Sequence, residues 1–158
     1  MVEFNFYNDW GELIIMKIDW DSFDRGVFLV NVLGIVPKEG KVLIGRRDKD
    51  LYVKDLIWSF PGGRPPYGKT LEESLKDEIK KKTNLEVETK KIIFARIPEE
   101  KKEFLLLYYL CETVGGKERA GEKFKEIKWV RPEEIKKYFT TSLHPELVNF
   151  LNQLGDEK

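Results

Sequence analysis

At 158 residues the chain has the length of one domain and enough sequence to bury a core. Its 28 acidic and 28 basic residues cancel, so no global charge draws it to nucleic acid or to an anionic membrane surface. No apolar run reaches the roughly 18 residues of a membrane span, no signal-peptide pattern opens the chain, and the single Cys111 allows no internal disulfide; a cytoplasmic protein is expected. Abundant Lys, Glu and Ile with a single His point by composition to a thermophile.

In chain order, residues 1–26 are an N-terminal extension expected to pack on the main domain at 27–154. They hold Trp10 and Trp20, with Asp9-Trp10-Gly11 as a turn signal and a strand over Glu12–Ile18. Exposed, these aromatics offer a homodimer surface or a stacking wall for a base; the expectation is that they cover a sheet edge. Strands at 27–36 and 42–47 are joined by Pro37-Lys38-Glu39-Gly40. A charged loop at 48–55 leads to a short strand, Leu56–Phe60, a Pro61-Gly62-Gly63 loop and a helix from about 70 to 83. Leu71, Leu75 and Ile79 give that helix its apolar stripe, and Glu72 and Glu73 suit its first turn. Glu86–Arg96 and Glu103–Thr113 read as an antiparallel pair joined by Pro98–Lys102, and Gly115-Gly116 opens a flexible loop to about Lys123. A strand over Lys125–Val130 follows. Pro132 starts one helix and Pro145 the last, which runs to about Leu154 with His144 as its cap and 155–158 as a tail. There is no internal repeat or linker.

One segment carries the chemistry. Gly63 is followed by Lys69, Asp77, Glu78, Ile79, Lys81, Lys82, Asn84 and Leu85 at the spacing G-x5-E-x7-R-E-U-x-E-E-x-G-U, where U is aliphatic. This resembles the signature of the Nudix (MutT-like) hydrolases with several charges reversed. The hairpin over Val27–Arg47 and the segment Glu126–Ile135 resemble other parts of that family, so about residues 27–152 are covered. The resemblance implies an α/β (α+β) fold, an α/β/α sandwich with a mixed β-sheet. It also implies attack of a metal-activated water on the phosphoanhydride of a nucleoside diphosphate linked to another moiety, with Mg2+ or Mn2+ held by helix glutamates.

The reversals are of two kinds. In the family the first glutamate and the arginine form a salt bridge between loop and helix; here Lys69 and Asp77 keep an opposite-charge pair with inverted polarity, so the tie is expected to survive. Asn84 stands for the glycine after the helix and tolerates the left-handed conformation best after glycine. The other kind changes chemistry. Lys81 and Lys82 follow Glu78 by three and four residues and share its helix face. Three carboxylates become one carboxylate and two ammonium groups, a poor set for hard cations that need oxygen ligands. Two readings stay open: a solvated charge run favoured at a helix C-terminus, or lysines that meet a phosphate directly.

Further candidates surround this helix. Arg46 and Arg47 end a strand, and alternation lets only one face a pocket. Gly62, Gly63 and Arg64 can approach a phosphate. Glu122 and Glu126 fall where the family often carries a further metal-binding or general-base glutamate, so Glu78, Glu122 and Glu126 are the catalytic candidates and Glu78 the one metal ligand on the helix, a weak site at most. Gly63–Thr70 also matches the phosphate-loop pattern G-x4-G-K-[ST]. Pro65 and Pro66 lack the N–H groups that loop requires, and the preceding elements read as a hairpin rather than a parallel sheet.

Three functional readings follow. The first is a Nudix-family protein that recognises a nucleoside diphosphate derivative, with metal-dependent hydrolysis weakened or lost. The second is an active Mg2+- or Mn2+-dependent pyrophosphohydrolase with an ADP-ribose-like substrate and other carboxylates at work. The third is a non-catalytic scaffold or regulatory subunit. None expects nucleic acid or membrane as partner.

Overall fold

The structure is a computed structural model that describes residues 2–8, 10–48 and 57–156. Asp9 of the turn signal, Leu56 of the short strand, residues 49–55 of the charged loop and the side chain of Trp20 fall outside what is described.

Strand alternation divides the core in two. β3 (Leu29–Ile35) runs parallel to β9 (Phe104–Gly115) and antiparallel to β7 (Gly62–Gly63), and β9 pairs antiparallel with β8 (Glu86–Arg96). The mixed sheet therefore has the order β7-β3-β9-β8. A second sheet centres on β5 (Lys41–Arg47), which pairs with β10 (Phe124–Val130), β4 (Pro37–Lys38) and β6 (Trp58–Ser59). Neighbouring residues on each strand face opposite sides. Leu43 and Tyr109 join the cluster under α1 (Leu71–Thr83), with Leu75 and Ile79 fully buried. Val42, Ile44 and Tyr108 join the opposite cluster with Ile135 of α2 (Ile135–Tyr138) and Leu147 and Leu151 of α3 (Pro145–Asp156). Sheets between helices on both faces make the α/β/α sandwich expected from the sequence.

Helix ends follow local chemistry. Thr70 caps α1 in a reciprocal box: its hydroxyl accepts the Glu73 N–H at 3.1 Å, and the Glu73 carboxylate accepts the Thr70 N–H at 3.0 Å. Asn84 closes the helix at φ 60°, the left-handed cap its side chain tolerates. Pro132 opens a 3-10 turn before α2, and His144 Nδ1 accepts the Glu146 N–H at 3.2 Å at the start of α3. That helix continues past Leu154 to Asp156.

Two expectations are corrected. The loop after Gly115-Gly116, expected to be flexible, is pinned to the helix: Arg119, Gly121 and Glu122 donate N–H groups to the carbonyls of Thr83, Lys82 and Lys81 at 2.9, 2.9 and 3.1 Å. These are α1's last carbonyls, which have no partner inside the helix, so the loop satisfies them. Gly121 lies so close to the Lys81 carbonyl that a Cβ there would collide with it. Nor does Trp10 cover a sheet edge. It is 85% exposed at the tip of the hairpin β1 (Val2–Tyr7) and β2 (Leu13–Ile18), whose turn is organised by Asn8 Oδ1 accepting the Trp10 and Glu12 N–H groups. Among the described residues no helix is long and apolar enough to cross a membrane.

Candidate functional site

The N-terminal half of α1 is occupied with its own structure. Lys69 and Asp77 form the inverted ion pair that the sequence predicts, with both side chains about half exposed to solvent. The pair holds the Lys69 ammonium above its usual pKa and the Asp77 carboxyl below its own, chiefly through their mutual hydrogen bond. Thr70, which would serve a nucleotide's metal in a phosphate loop, is spent on the cap. The strand before that loop, β7, is antiparallel to its neighbour β3. The phosphate-loop reading has no support in this geometry.

At the other end the three lysines have three different fates. Lys80 turns away to Glu86 Oε1 at 3.0 Å and the Asn84 carbonyl at 3.4 Å. Lys81 stays exposed, 3.8 Å from Glu78 Oε1. Lys82 is buried, with 5% of its surface exposed. Its Nζ donates to the Gly62 carbonyl oxygen and lies 3.2 Å from Glu78 Oε2. The Phe124 ring lies beneath it, the ammonium 5.8 Å from the centroid. That ring can lie there because Gly45 of β5 has no Cβ; one would overlap it. Burial pushes the Lys82 ammonium below its usual pKa; Glu78 pulls it back up, while Arg47 and Lys123 push it down further. Of the solvated run read from sequence, only Lys80 and Lys81 fit.

Glu78 is fixed from the opposite side. A Cβ on Gly63 would sit 2.8 Å from its Oε2, so the carboxylate packs against bare glycine backbone. Gly62 is pressed against the Val32 carbonyl just as tightly. The Pro61-Gly62-Gly63 loop can therefore carry no side chain where it crosses β3 and α1.

Around these groups opens a cavity of about 690 Å3. Gly62, Gly63, Arg64, Glu78 and Lys82 line one end, together with Arg47. Strand alternation works as expected: Arg47 turns into the cavity, while Arg46 Nε binds Glu126 Oε2 at 3.2 Å on the neighbouring strand. Arg46, Lys81, Glu122 and Glu126 are not among the lining residues. Glu126 is further engaged by Lys128 at 3.4 Å, and Glu122 is exposed. Of the three glutamates proposed for catalysis, the structure brings only Glu78 to the cavity.

Several lining residues escape the sequence. Lys123 follows the pinned loop at φ 61°, a local feature that only the loop's fold reveals. Phe60, Phe104, Tyr108 and Phe139 form an aromatic wall, with Phe60 and Phe139 edge-on at 5.0 Å. Arg96 holds the far end: Nη2 donates to the Ser142 carbonyl at 2.7 Å and Nε to Tyr108 Oη at 3.3 Å. Glu100 accepts the Ser142 N–H and hydroxyl. Burial alone would raise the Glu100 carboxyl, but the hydrogen bonds from Ser142 and from its own backbone N–H, with the charge of Arg96, together outweigh it and leave it below its usual range. Their signal in the sequence is only that Arg96 ends a strand and Ser142 precedes a helix.

The donor set can be weighed against a divalent ion. Among the described residues no three His, Cys, Asp or Glu side chains converge to hold one. Glu73 is bound into the cap, and Glu72 accepts the Tyr109 hydroxyl at 3.2 Å. Glu78 is flanked by two ammonium groups. These residues do not fit a hard cation, which needs several oxygen ligands. They fit an anion: among the described residues the lining has six cationic side chains, Arg47, Arg64, Lys82, Arg96, Lys101 and Lys123, against the carboxylates of Glu78 and Glu100.

Comparison with known proteins agrees with this architecture. Over 123 residues the chain is 28% identical to the 8-oxo-dGTP diphosphatase of Buchnera aphidicola subsp. Schizaphis graminum, covering 78% of this chain and 92% of that protein. Over 103 residues it is 26% identical to the ADP-ribose pyrophosphatase of Methanocaldococcus jannaschii, covering 63% of this chain and 60% of that relative, so it spans less than two thirds of the archaeal protein. The crystal structure of an ADP-ribose pyrophosphatase from Streptococcus suis shares the fold with a TM-score of 0.63 at 16% identity, over 82% of this chain and 94% of the other. The NUDIX domain matches residues 28–153, from the start of the mixed sheet into the last helix. With the Glu78 helix and the cavity's sheets inside that span, the chain belongs to the NUDIX domain family.

Proposed function

We propose that this protein binds a nucleoside diphosphate linked to another moiety and hydrolyses it weakly or not at all by the metal-dependent route. The observation that carries the reading is the Glu78 carboxylate held between Lys82 at 3.2 Å and Lys81 at 3.8 Å, where the family's signature has glutamates. An ammonium beside the remaining carboxylate repels a divalent ion and removes oxygen ligands it needs. The cationic end of the cavity supplies charge-assisted hydrogen bonds for phosphate oxygens, and the aromatic wall suits a base or sugar. Cytoplasmic location and a homodimer belong to the same proposal.

The test is a panel of nucleoside diphosphate derivatives, ADP-ribose included, incubated with Mg2+, with Mn2+ and with chelator and read by mass spectrometry. The expected result is no metal-dependent product, with at least one intact compound raising the melting temperature. Rapid metal-dependent hydrolysis would favour a second reading, an active pyrophosphohydrolase. What speaks for that reading is the activity named for the two relatives, 8-oxo-dGTP diphosphatase and ADP-ribose pyrophosphatase.

A further inference from the structure

Lys82 is a charge in an expensive place. An ammonium 5% exposed loses most of its hydration, and one carboxylate and one carbonyl oxygen return only part of it. Two of its three N–H bonds are taken by Gly62 and Glu78, which leaves one for a further acceptor. Arg47 and Lys123 bring charge of the same sign to its surroundings. If Lys82 served only to tie α1 to β7, a neutral donor would do so without desolvating a charge or gathering cations around it. Like charges clustered in a cavity oppose the folded state, and a bound anion relieves that opposition.

We propose that Lys82, with Arg47 and Lys123 beside it and Arg64 on the same cavity lining, is a built-in cation site that binds a diphosphate group without any divalent ion. The inference rests on the ligand class proposed above and deepens it: the lysine side chain stands in the role of the metal's charge. Only Lys82 does so, since Lys81 lies outside the cavity lining. Glu78 then acts as a positioning residue that keeps the ammonium at the Gly62 carbonyl, and Gly63 keeps Glu78 in place.

Calorimetric titration of the full chain with inorganic pyrophosphate and with ADP-ribose, in EDTA and again in Mg2+, tests this. Both compounds are expected to bind in EDTA, with affinity falling steeply as salt rises. Lys82→Met should weaken both by about 10- to 100-fold, the scale of one hydrogen bond to a charged group. Lys76→Met, the same charge change on an exposed part of α1, should leave affinity unaltered. Binding that appears only with Mg2+, or wild-type affinity in Lys82→Met, overturns the inference. Should Lys82→Met fail to fold by circular dichroism, Lys123→Asn decides: asparagine tolerates the left-handed backbone there, and unchanged pyrophosphate affinity overturns the inference equally. The two levels separate cleanly. ADP-ribose bound only with Mg2+ removes the cation site and leaves the ligand class standing. Pyrophosphate bound in EDTA without ADP-ribose supports the cation site and overturns the ligand class; no binding of either under any condition overturns both.

Discussion

Two charge reversals involve one helix, and they behave in opposite ways. Lys69, in the loop before α1, and Asp77, midway along it, have exchanged signs as a pair, in contact with solvent. Coulomb's law is blind to which partner is positive, so the tie survives the exchange. At the end of α1, two positions of one sign have become the other, and one of the new charges is buried against Glu78. No compensating change restores the balance there, so the site's preference moves from cations to anions. The lesson is that sign alone says little; the sum of charge at a site and its burial decide whether a reversal is architectural or chemical.

The most damaging way to break this comparison is to remove what both halves stand on. Ile79 is fully buried midway along the helix, and Ile79→Ala should cost about 2–5 kcal/mol in urea unfolding, disturbing both pairs. Next comes Gly62→Ala, whose Cβ would meet the Val32 carbonyl; overpacking of this kind costs about 1–3 kcal/mol and should weaken ligand binding along with stability. The chemical half is reversed by Lys81→Glu with Lys82→Glu. Three carboxylates would again share a face, and calorimetry should detect Mn2+ at a dissociation constant near the weakest oxygen sites, about 10⁻⁴–10⁻³ M, where the wild type shows none. Absence of any gain in Mn2+ affinity would refute the account that the lysines at these two positions are what excludes a divalent ion.

Two subtler experiments sharpen the contrast. Burial lowers the Lys82 pKa in the folded state, so between that value and the unfolded value near 10.5 the unfolded chain binds more protons. Stability contributed through Lys82 therefore rises with pH across that window. The unfolding free energy of the wild type minus that of Lys82→Met should climb as pH rises toward the unfolded value; a flat or falling difference would contradict the burial argument. The smallest effect belongs to the exposed pair. Lys69→Asp and Asp77→Lys should each lower the melting temperature slightly, and the double exchange should restore it, with the coupling fading in high salt.

What the sequence reveals follows how local each feature is. The Lys69–Asp77 tie, the left-handed Asn84 and the His144 cap are settled by neighbours along the chain, and strand alternation allows only one of Arg46 and Arg47 into the cavity, although which one enters is decided by the fold. The fate of the three consecutive lysines is not. Which one is buried depends on the Gly62 carbonyl from another strand and on the Phe124 ring, admitted by Gly45. The pinned loop after Gly115 is hidden for the same reason: its glycines read as freedom, whereas Gly116 and Gly121 are small because backbone passes against them. Arg96, Glu100 and Ser142 meet across a long separation and leave no spacing to recognise.

The parallel pairing of β3 with β9 has a consequence for folding. β8 and β9 join through a short turn and can zip locally, but Leu29 finds Phe104 only after a loop on the order of 75 residues has closed, a step with a substantial entropic barrier. The cavity draws Asn31 and Leu33 from β3 and Leu106 and Tyr108 from β9. This side of the cavity, where Asn31 lies beside Leu106 and Leu33 beside Tyr108, is therefore completed only when this slow, non-local contact forms. A ligand added during refolding should leave the early hairpin phase untouched and report on the final one alone, so that binding competence serves as a clock for the completion of the sheet.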